Sequence, residues 1–305
     1  MSVDFRLVHL TDPHLSRIRR MPLREFFSKR ILGFANLRLK RLKQHSNALA
    51  YEAARKAKEL GAHHILITGD LSNLAFAEEY AEVSSWLKSF ERAPEKITVV
   101  PGNHDAYLKK LWPDGPFWEA LNPYCLSDAF WAESFSARFP VVRDRGKVRI
   151  IGLSTAIPSP PLMAWGEVGR GQLQGLKRAL IGGRRERKTC LIALHHPPQT
   201  GVTRTDNGLR DAHAFRSIVL EEGAGLVLHG HMHRAMRGTV AGPGQTSVPV
   251  WGTGSASLVP TPTGNGAQFR VLDFGKEGRL LETALYLYDS LKGGFVRMRP
   301  DPLGG

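Results

Sequence analysis

Along this chain, short apolar β-rich runs alternate with stretches whose apolar residues recur at helical spacing. Residues 5–11 read as a strand, 46–60 as a helix that Gly61 closes, 63–68 as a strand, 76–90 as a helix and 97–100 as a strand. An irregular, aromatic-rich stretch follows from Tyr107 to Pro140, after which the alternation resumes. It gives a strand at 147–155, a helix from about 171 to 180, a strand at 189–194, a helix over 211–222 and a strand at 225–230. Strand–helix alternation of this kind predicts an α/β fold. From Gly238 onward, runs at 238–240, 248–252, 268–274 and 280–288 follow one another through Gly and Pro turns, which predicts mostly antiparallel strands. No internal repeat or low-complexity linker divides the chain, so one elaborated domain over residues 1–305 is expected.

Polar residues gather where these strands end. Asp12 and His14 follow the first, Asp70 the second, Asn103 and His104 the third, His195 the strand at 189–194, and His231 and His233 the strand at 225–230. Loops at the carboxyl ends of strands in an α/β sheet converge on one edge, so five strands aim at one place. Two Asp, one Asn and four His, setting His104 aside, offer hard oxygen and borderline nitrogen donors without a thiolate, a set that suits Mn, Fe or Zn. Seven donors exceed one tetrahedral ion and suit two ions sharing a carboxylate and a water, roughly 3.5–4 Å apart.

The ordered pieces Asp12-Pro13-His14, Gly69-Asp70, Gly102-Asn103-His104-Asp105, His195-His196-Pro197 and Gly230-His231-Met232-His233 resemble the motif set of the calcineurin-like metallophosphoesterases. The resemblance implies a four-layer α-β-β-α sandwich, two mixed β-sheets flanked by helices. It implies that Asp12, His14 and His233 hold a first metal, that Asn103, His195 and His231 hold a second, and that Asp70 bridges them. It also implies that a bridging hydroxide attacks the phosphorus, while His104 gives a proton or hydrogen bond to the phosphoryl or leaving-group oxygen. Gly69, Gly102 and Gly230 sit where each strand must turn sharply.

Several neighbouring residues have plainer readings. Of His195 and His196, the first is the expected ligand, and His196 either contacts substrate or packs. His229, His9, His63 and His64 read as packing residues. Asp105 either orients His104 or caps a turn. Arg204 and Arg210 either clamp a phosphate or keep the surface soluble, and the aromatics from Trp112 to Trp131 read as core or lid more readily than as a stacking platform.

Composition sharpens the picture in three ways. Cys125 and Cys190 are the only cysteines, which excludes a disulfide framework and a thiolate metal site. The first apolar run breaks at His9 and Asp12, unlike a signal peptide, and the expectation is a cytoplasmic protein, peripheral at most to the inner face of the membrane. The net charge of +14 is concentrated: residues 17–43 hold ten Lys/Arg against the single acid Glu25. There Leu23, Phe27, Ile31, Phe34 and Leu37 recur at helical spacing, so residues 15–45 are expected to form a basic amphipathic insertion. Such a segment either packs on the body, recruits an anionic amphiphile or acidic membrane, or binds nucleic acid. If it serves recognition only, deleting 17–43 spares hydrolysis of a small chromogenic phosphodiester.

These features point to a phosphodiesterase or pyrophosphatase acting on a nucleotide-containing ester. A UDP-diacylglucosamine hydrolase of lipid A synthesis, a nuclease, and a metal-binding scaffold without turnover are the competing classes. Oligomeric state leaves no signature in the sequence.

Overall fold

The computed structural model describes residues 2–17, 30–110, 112, 114–134, 138–262 and 264–298. In chain order these form β1 (Phe5–Leu10), α1 (Arg30–Asn36), a π turn (Leu37–Arg41), α2 (Leu42–Gln44), α3 (Asn47–Glu59), β2 (His64–Thr68), α4 (Ala77–Ser89) and β3 (Ile97–Val100). Two short helices, α5 (Pro116–Leu121) and α6 (Ala129–Ser134), precede β4 (Val141–Arg145) and β5 (Val148–Gly152). Then come α7 (Arg170–Arg185), β6 (Thr189–Ala193), α8 (Ala212–Glu222) and β7 (Leu226–His229). The tail is β8 (Met236–Ala241), β9 (Ser247–Gly252), β10 (Gln268–Phe274), β11 (Leu280–Asp289) and β12 (Gly294–Arg297).

The strands build two mixed sheets, ordered β12-β11-β10-β1-β2-β3 and β4-β5-β6-β7-β9-β8. Each sheet contains a parallel run: β1 with β2 and β2 with β3, then β5 through β6 and β7 to β9. Side-chain alternation sets the layers. Phe5 and Leu7 of β1 share an apolar layer with Ile150, Leu191 and Leu228 of the other sheet, whereas Val8 and Leu10 face the opposite way. There they meet α3 and α4 through Ala50, Ala53, Ala54, Ala57, Val83 and Trp86, and Trp86 Nε1 donates to the Ala50 carbonyl at 2.8 Å. On the far side, Ile151, Ile192 and Val227 pack against Leu176 and Ala179 of α7 and Phe215 and Val219 of α8. The result is helices, sheet, sheet, helices, with each buried Leu, Ile, Val or Phe stabilising the stack by about 1.5–3 kcal/mol.

Two elements depart from the periodicity. The strand β4 pairs antiparallel with β5 although Arg143-Asp144-Arg145 breaks its apolar run. Arg143 and Arg149 are buried there: Arg143 donates to the carbonyls of Leu126, Pro94 and Ile97, and Arg149 pairs with Asp144 at 2.7 Å. Satisfied buried charges make β4 look like loop in the sequence, whereas β5 falls within the strand expected at 147–155. Helix α7 runs on through Gly182 and Gly183 to Arg185, and residue 183 is glycine where a Cβ would collide with Cys190 Sγ on β6.

Of the basic insertion, Leu23 and Phe27 lie outside the described residues. Phe34 and Leu37 pack with Leu74, Phe76 and Tyr107, whereas Ile31 is exposed, so the apolar stripe is narrower than its spacing suggests. Arg30 is buried rather than solvated, donating to the Leu74 and Ala75 carbonyls and lying 3.9 Å over the Phe76 ring. The segment's far end is stitched to the body: Ser46 N donates to Ser257 O, Val259 N donates to Gln44 O, and His45 bridges Leu258. Among the described residues no helix is long and apolar enough to cross a membrane.

Candidate metal centre

The five strand ends do converge. The chain leaves β1, β2 and β7 through left-handed turns at Asp12 (φ 49°), His14 (42°), Asp70 (51°), His231 (69°) and His233 (51°). Short polar side chains tolerate this region better than branched ones, at a cost of about 1–2 kcal/mol each. The glycines serve differently from one another. Gly69 itself has φ 87°, whereas Gly102 and Gly230 have ordinary φ and are needed for room. A Cβ on Gly102 would strike the Asp70 carboxylate and amide, and one on Gly230 would strike Thr11 Oγ1.

All seven expected donors face one another. On one side, Nε2 of His14 and Nε2 of His233 are 3.1 Å apart, and His233 Nε2 is 3.2 Å from Asp12 Oδ1. On the other, His195 Nε2 lies 3.2 Å from Asn103 Oδ1 and 3.3 Å from His231 Nδ1. Asp70 Oδ2 stands between them, 3.8 Å from His14 Nε2 and 3.4 Å from His195 Nε2. The ring atoms pointing away from this centre are held: His195 Nδ1 donates to Thr68 O at 2.7 Å, and His231 Nε2 donates to Asn207 O at 2.9 Å. Outward hydrogen bonds of this type fix the tautomer of a metal-binding imidazole. Asp12 Oδ1 is buried and takes no well-formed hydrogen bond. Nitrogen lone pairs crowded around buried carboxylates, one of them lacking a donor, fit a pair of cations better than a self-sufficient polar core. The donor groups Asp12, His14, Asp70 and His233 also lie mutually close enough for one ion.

Electrostatics agree with that reading. Burial alone would raise the Asp70 carboxyl, but His195 and His104 outweigh it and hold it well below the ordinary value. Burial opposes the His195 imidazolium too, yet Asp70 lifts it to about 9. Burial, then Arg41, holds His14 well below the usual range. The Asp70 carboxylate therefore stays ionised between the two histidine groups, a negative charge suited to a cation.

His104 sits at the rim. Its amide donates to Asp70 Oδ1 at 2.8 Å, its Nδ1 donates to Asn73 O at 2.7 Å, and its Nε2 accepts from Arg41 Nη2 at 2.8 Å. Burial and Arg41 push its pKa down to about 4. Asp105 does not touch the His104 ring. It accepts from the amides of Gly102, Leu71 and Ser72, tying the β2 and β3 loops together.

The remaining readings resolve by partners. Both His196 nitrogens are engaged, by Thr155 Oγ1 at 2.7 Å and Ala164 O at 2.9 Å, which makes it a packing residue. His229 is buried with Nδ1 on Gly230 O. Arg204 pairs with Asp206 at 3.5 Å and Arg210 with Glu167 at 3.6 Å. Trp118 and Tyr124 are buried in the core, while Phe130 is exposed.

Two residues were not anticipated, and both come from the basic insertion. Arg41 reaches into the centre, with Nη1 3.0 Å from His14 Nδ1, and His45 packs edge-on to His14 with ring centroids 4.7 Å apart. Arg41 of the segment 17–43 thus stands against both His14 and His104. The π turn at Leu37–Arg41 hides this, because its wider winding changes the phase on which helical spacing depends. Arg41, His104, Asn103 and Tyr107 line a cleft of about 480 Å³ whose other wall includes Leu162 and Met163.

The sequence pattern that defines the calcineurin-like phosphoesterases matches residues 5–235. Comparison with curated protein sequences gives no match. Among solved structures, a dimetal phosphatase from Danio rerio superposes with a TM-score of 0.61 at 12% identity, covering 94% of this chain and 100% of that one. A purple acid phosphatase from yellow lupin (Lupinus luteus) seeds gives 0.57 at 12% identity, over 96% of this chain and 52% of that one. At such identities the likeness is one of fold.

Proposed function

Because the chain belongs to the calcineurin-like phosphoesterases, and is therefore a metal-dependent phosphoester hydrolase, we propose that it cleaves a phosphodiester or pyrophosphate bond in a nucleotide-containing substrate. In this reading Asp12, His14 and His233 hold one ion, Asn103, His195 and His231 hold another, and Asp70 is shared. The observation that carries it is the position of the Asp70 carboxylate, within 4 Å of a histidine nitrogen on each side. Oxygen and imidazole donors of this kind suit Mn, Fe or Zn. When bound, such a pair supplies a shared water of lowered pKa and positive charge facing the phosphoryl oxygens.

The chain's own residues do the rest. Arg41 presents a guanidinium beside His104, placed to take phosphoryl oxygens through charge-assisted hydrogen bonds. His104 keeps Nδ1–H on the Asn73 carbonyl, so Nε2 is the atom that faces the substrate. A phosphoryl anion brought against His104 and Arg41 favours the imidazolium, which then delivers its Nε2 proton to the leaving oxygen. Tyr107, whose ring stacks at 30° to His104, supplies an aromatic face for a base. In this reading residues 15–45 act as a cap on a single domain, with Gly33 and Arg41 lining this side of the cleft.

A lipid-linked nucleotide such as UDP-diacylglucosamine is favoured by one feature: Leu162 on the cleft wall is 94% exposed and Leu39, on the helical segment that carries Arg41, is 71% exposed. Apolar groups left open beside a phosphate site suit acyl chains and a peripheral position on an acidic membrane. A screen of the manganese-loaded protein on cyclic nucleotides, dinucleotides, nucleic acid and UDP-linked lipids tests both readings. Hydrolysis of a nucleotide ester, abolished in Asn103→Ala, is the expected result. Activity that requires detergent, with co-sedimentation on acidic vesicles, selects the lipid-linked substrate. Inertness toward every nucleotide ester with Mn, Fe or Zn supplied would overturn the proposal.

A further inference from the structure

The basic insertion ends on a histidine that belongs to none of the strand-end motifs. His45 follows α2 with extended backbone (φ −124°, ψ 140°), and its amide closes on Arg41 O at 2.8 Å. The backbone pairing of Gln44 and Ser46 with Ser257 and Val259 fixes the position of the ring. The imidazole stands edge-on to both His14 and His233, with centroids 4.7 and 5.3 Å away, and one nitrogen from each of the three rings lies within 4.8 Å of the others.

The hydrogen bonds on the ring are one-sided. Nδ1 meets Ser257 Oγ at 2.8 Å, and Ser255 Oγ, 3.4 Å from the same nitrogen, donates to the Asp12 carbonyl at 2.6 Å. A serine pair therefore couples the orientation of His45 to the backbone of a residue in the centre. Among the packing histidines, His196 and His9 have both nitrogens satisfied, whereas His64 and His229 each keep one buried nitrogen without a partner. His45, like His195 and His231, has one nitrogen anchored, and what separates it from His64 and His229 is its place against the His14 and His233 rings.

We propose that His45 is an additional ligand of the ion held by Asp12, His14 and His233, an assignment that rests on the two-ion reading above. The inserted segment then completes the centre as well as covering it. The two positions become unequal: the first has five protein donors, Asp12, His14, Asp70, His233 and His45, and the second has four, Asp70, Asn103, His195 and His231. An ion at the first position is retained, while the second keeps open coordination toward the phosphoryl group.

Calorimetric titration of the metal-free protein with Mn(II) alone tests this without any assay of turnover. The full chain is expected to take two equivalents. His45→Ala, and His45→Phe, which keeps a ring in the space, are expected to weaken one equivalent by about 10–100-fold and leave the other unchanged. Ser257→Ala, which frees the ring without removing it, is expected to weaken the same equivalent by less. Thermal unfolding of each metal-free variant at the temperature of the metal-free parent excludes a folding defect. Two equivalents at parental affinity in both His45 variants would overturn the ligand role and leave the two-ion centre standing. A parent that takes fewer than two equivalents would overturn both.

Discussion

Arg41 Nη2 donates to His104 Nε2 across 2.8 Å, joining a cation of the insertion to the imidazole at the rim of the centre. If that guanidinium holds the phosphoryl group, Arg41→Ala lowers kcat/KM by about 10²–10³-fold, the range found for removal of one oxyanion donor. Arg41→Lys restores only part, because a point charge replaces a planar fork. Steady-state kinetics on a small phosphodiester provide the check. Parental kcat/KM in Arg41→Ala would place the substrate elsewhere.

Asp70→Asn keeps an oxygen for the His104 amide but removes the negative charge between the two histidine groups. Elemental analysis of the purified variant is expected to show loss of at least one of two bound ions, with activity down by roughly a thousand-fold. Full occupancy and activity in this variant would rule out a shared carboxylate.

Glycine replacements separate room from flexibility. Gly102→Ala sets a methyl group against the Asp70 carboxylate and amide, and is expected to destabilise the fold by about 1–3 kcal/mol while abolishing activity. Gly171→Ala, in the first turn of α7 with open space around it, is expected to stabilise by about 0.5–1 kcal/mol. Denaturant midpoints measure both.

Acid should weaken the fold through His9. Burial, with Arg270 adding repulsion, holds its pKa at about 3 against an ordinary value near 6.5. Between those values the unfolded chain carries a proton on this ring that the folded chain does not, so stability falls as pH falls. The slope is about 1.4 kcal/mol per pH unit for this single group, absent above pH 6.5. His9→Gln is expected to flatten the stability–pH curve by that amount in this window. Identical slopes for variant and parent would refute it.

Most of the architecture is legible in residue patterns, because strands buried on both faces and one-faced helices leave strong periodic signals. Asp12, Asp70, Asn103, His195 and His231 announce themselves by ending such strands in order. Three things escape notice for identifiable reasons. The strand β4 hides behind Arg143-Asp144-Arg145, where the buried Arg143 charge is satisfied by carbonyls and Asp144 is paired with Arg149. Arg41 and His45 lie in a cationic segment that reads as one amphipathic surface, and a π turn shifts which of its residues point inward. Whether His196 touches substrate or packs depends on Thr155 and Ala164, remote in sequence, and no local pattern carries that information.

The five left-handed residues around the centre have a thermodynamic corollary. Each turn favours relaxation, so a chain stripped of ions should open here before its sheets loosen, and proteases should nick these loops first. Ions at a hundred times their dissociation constant add about 2.7 kcal/mol to the folded state, comparable with the backbone strain of two such turns. Heat tolerance of this protein should therefore follow the metal content of the buffer in which it is kept.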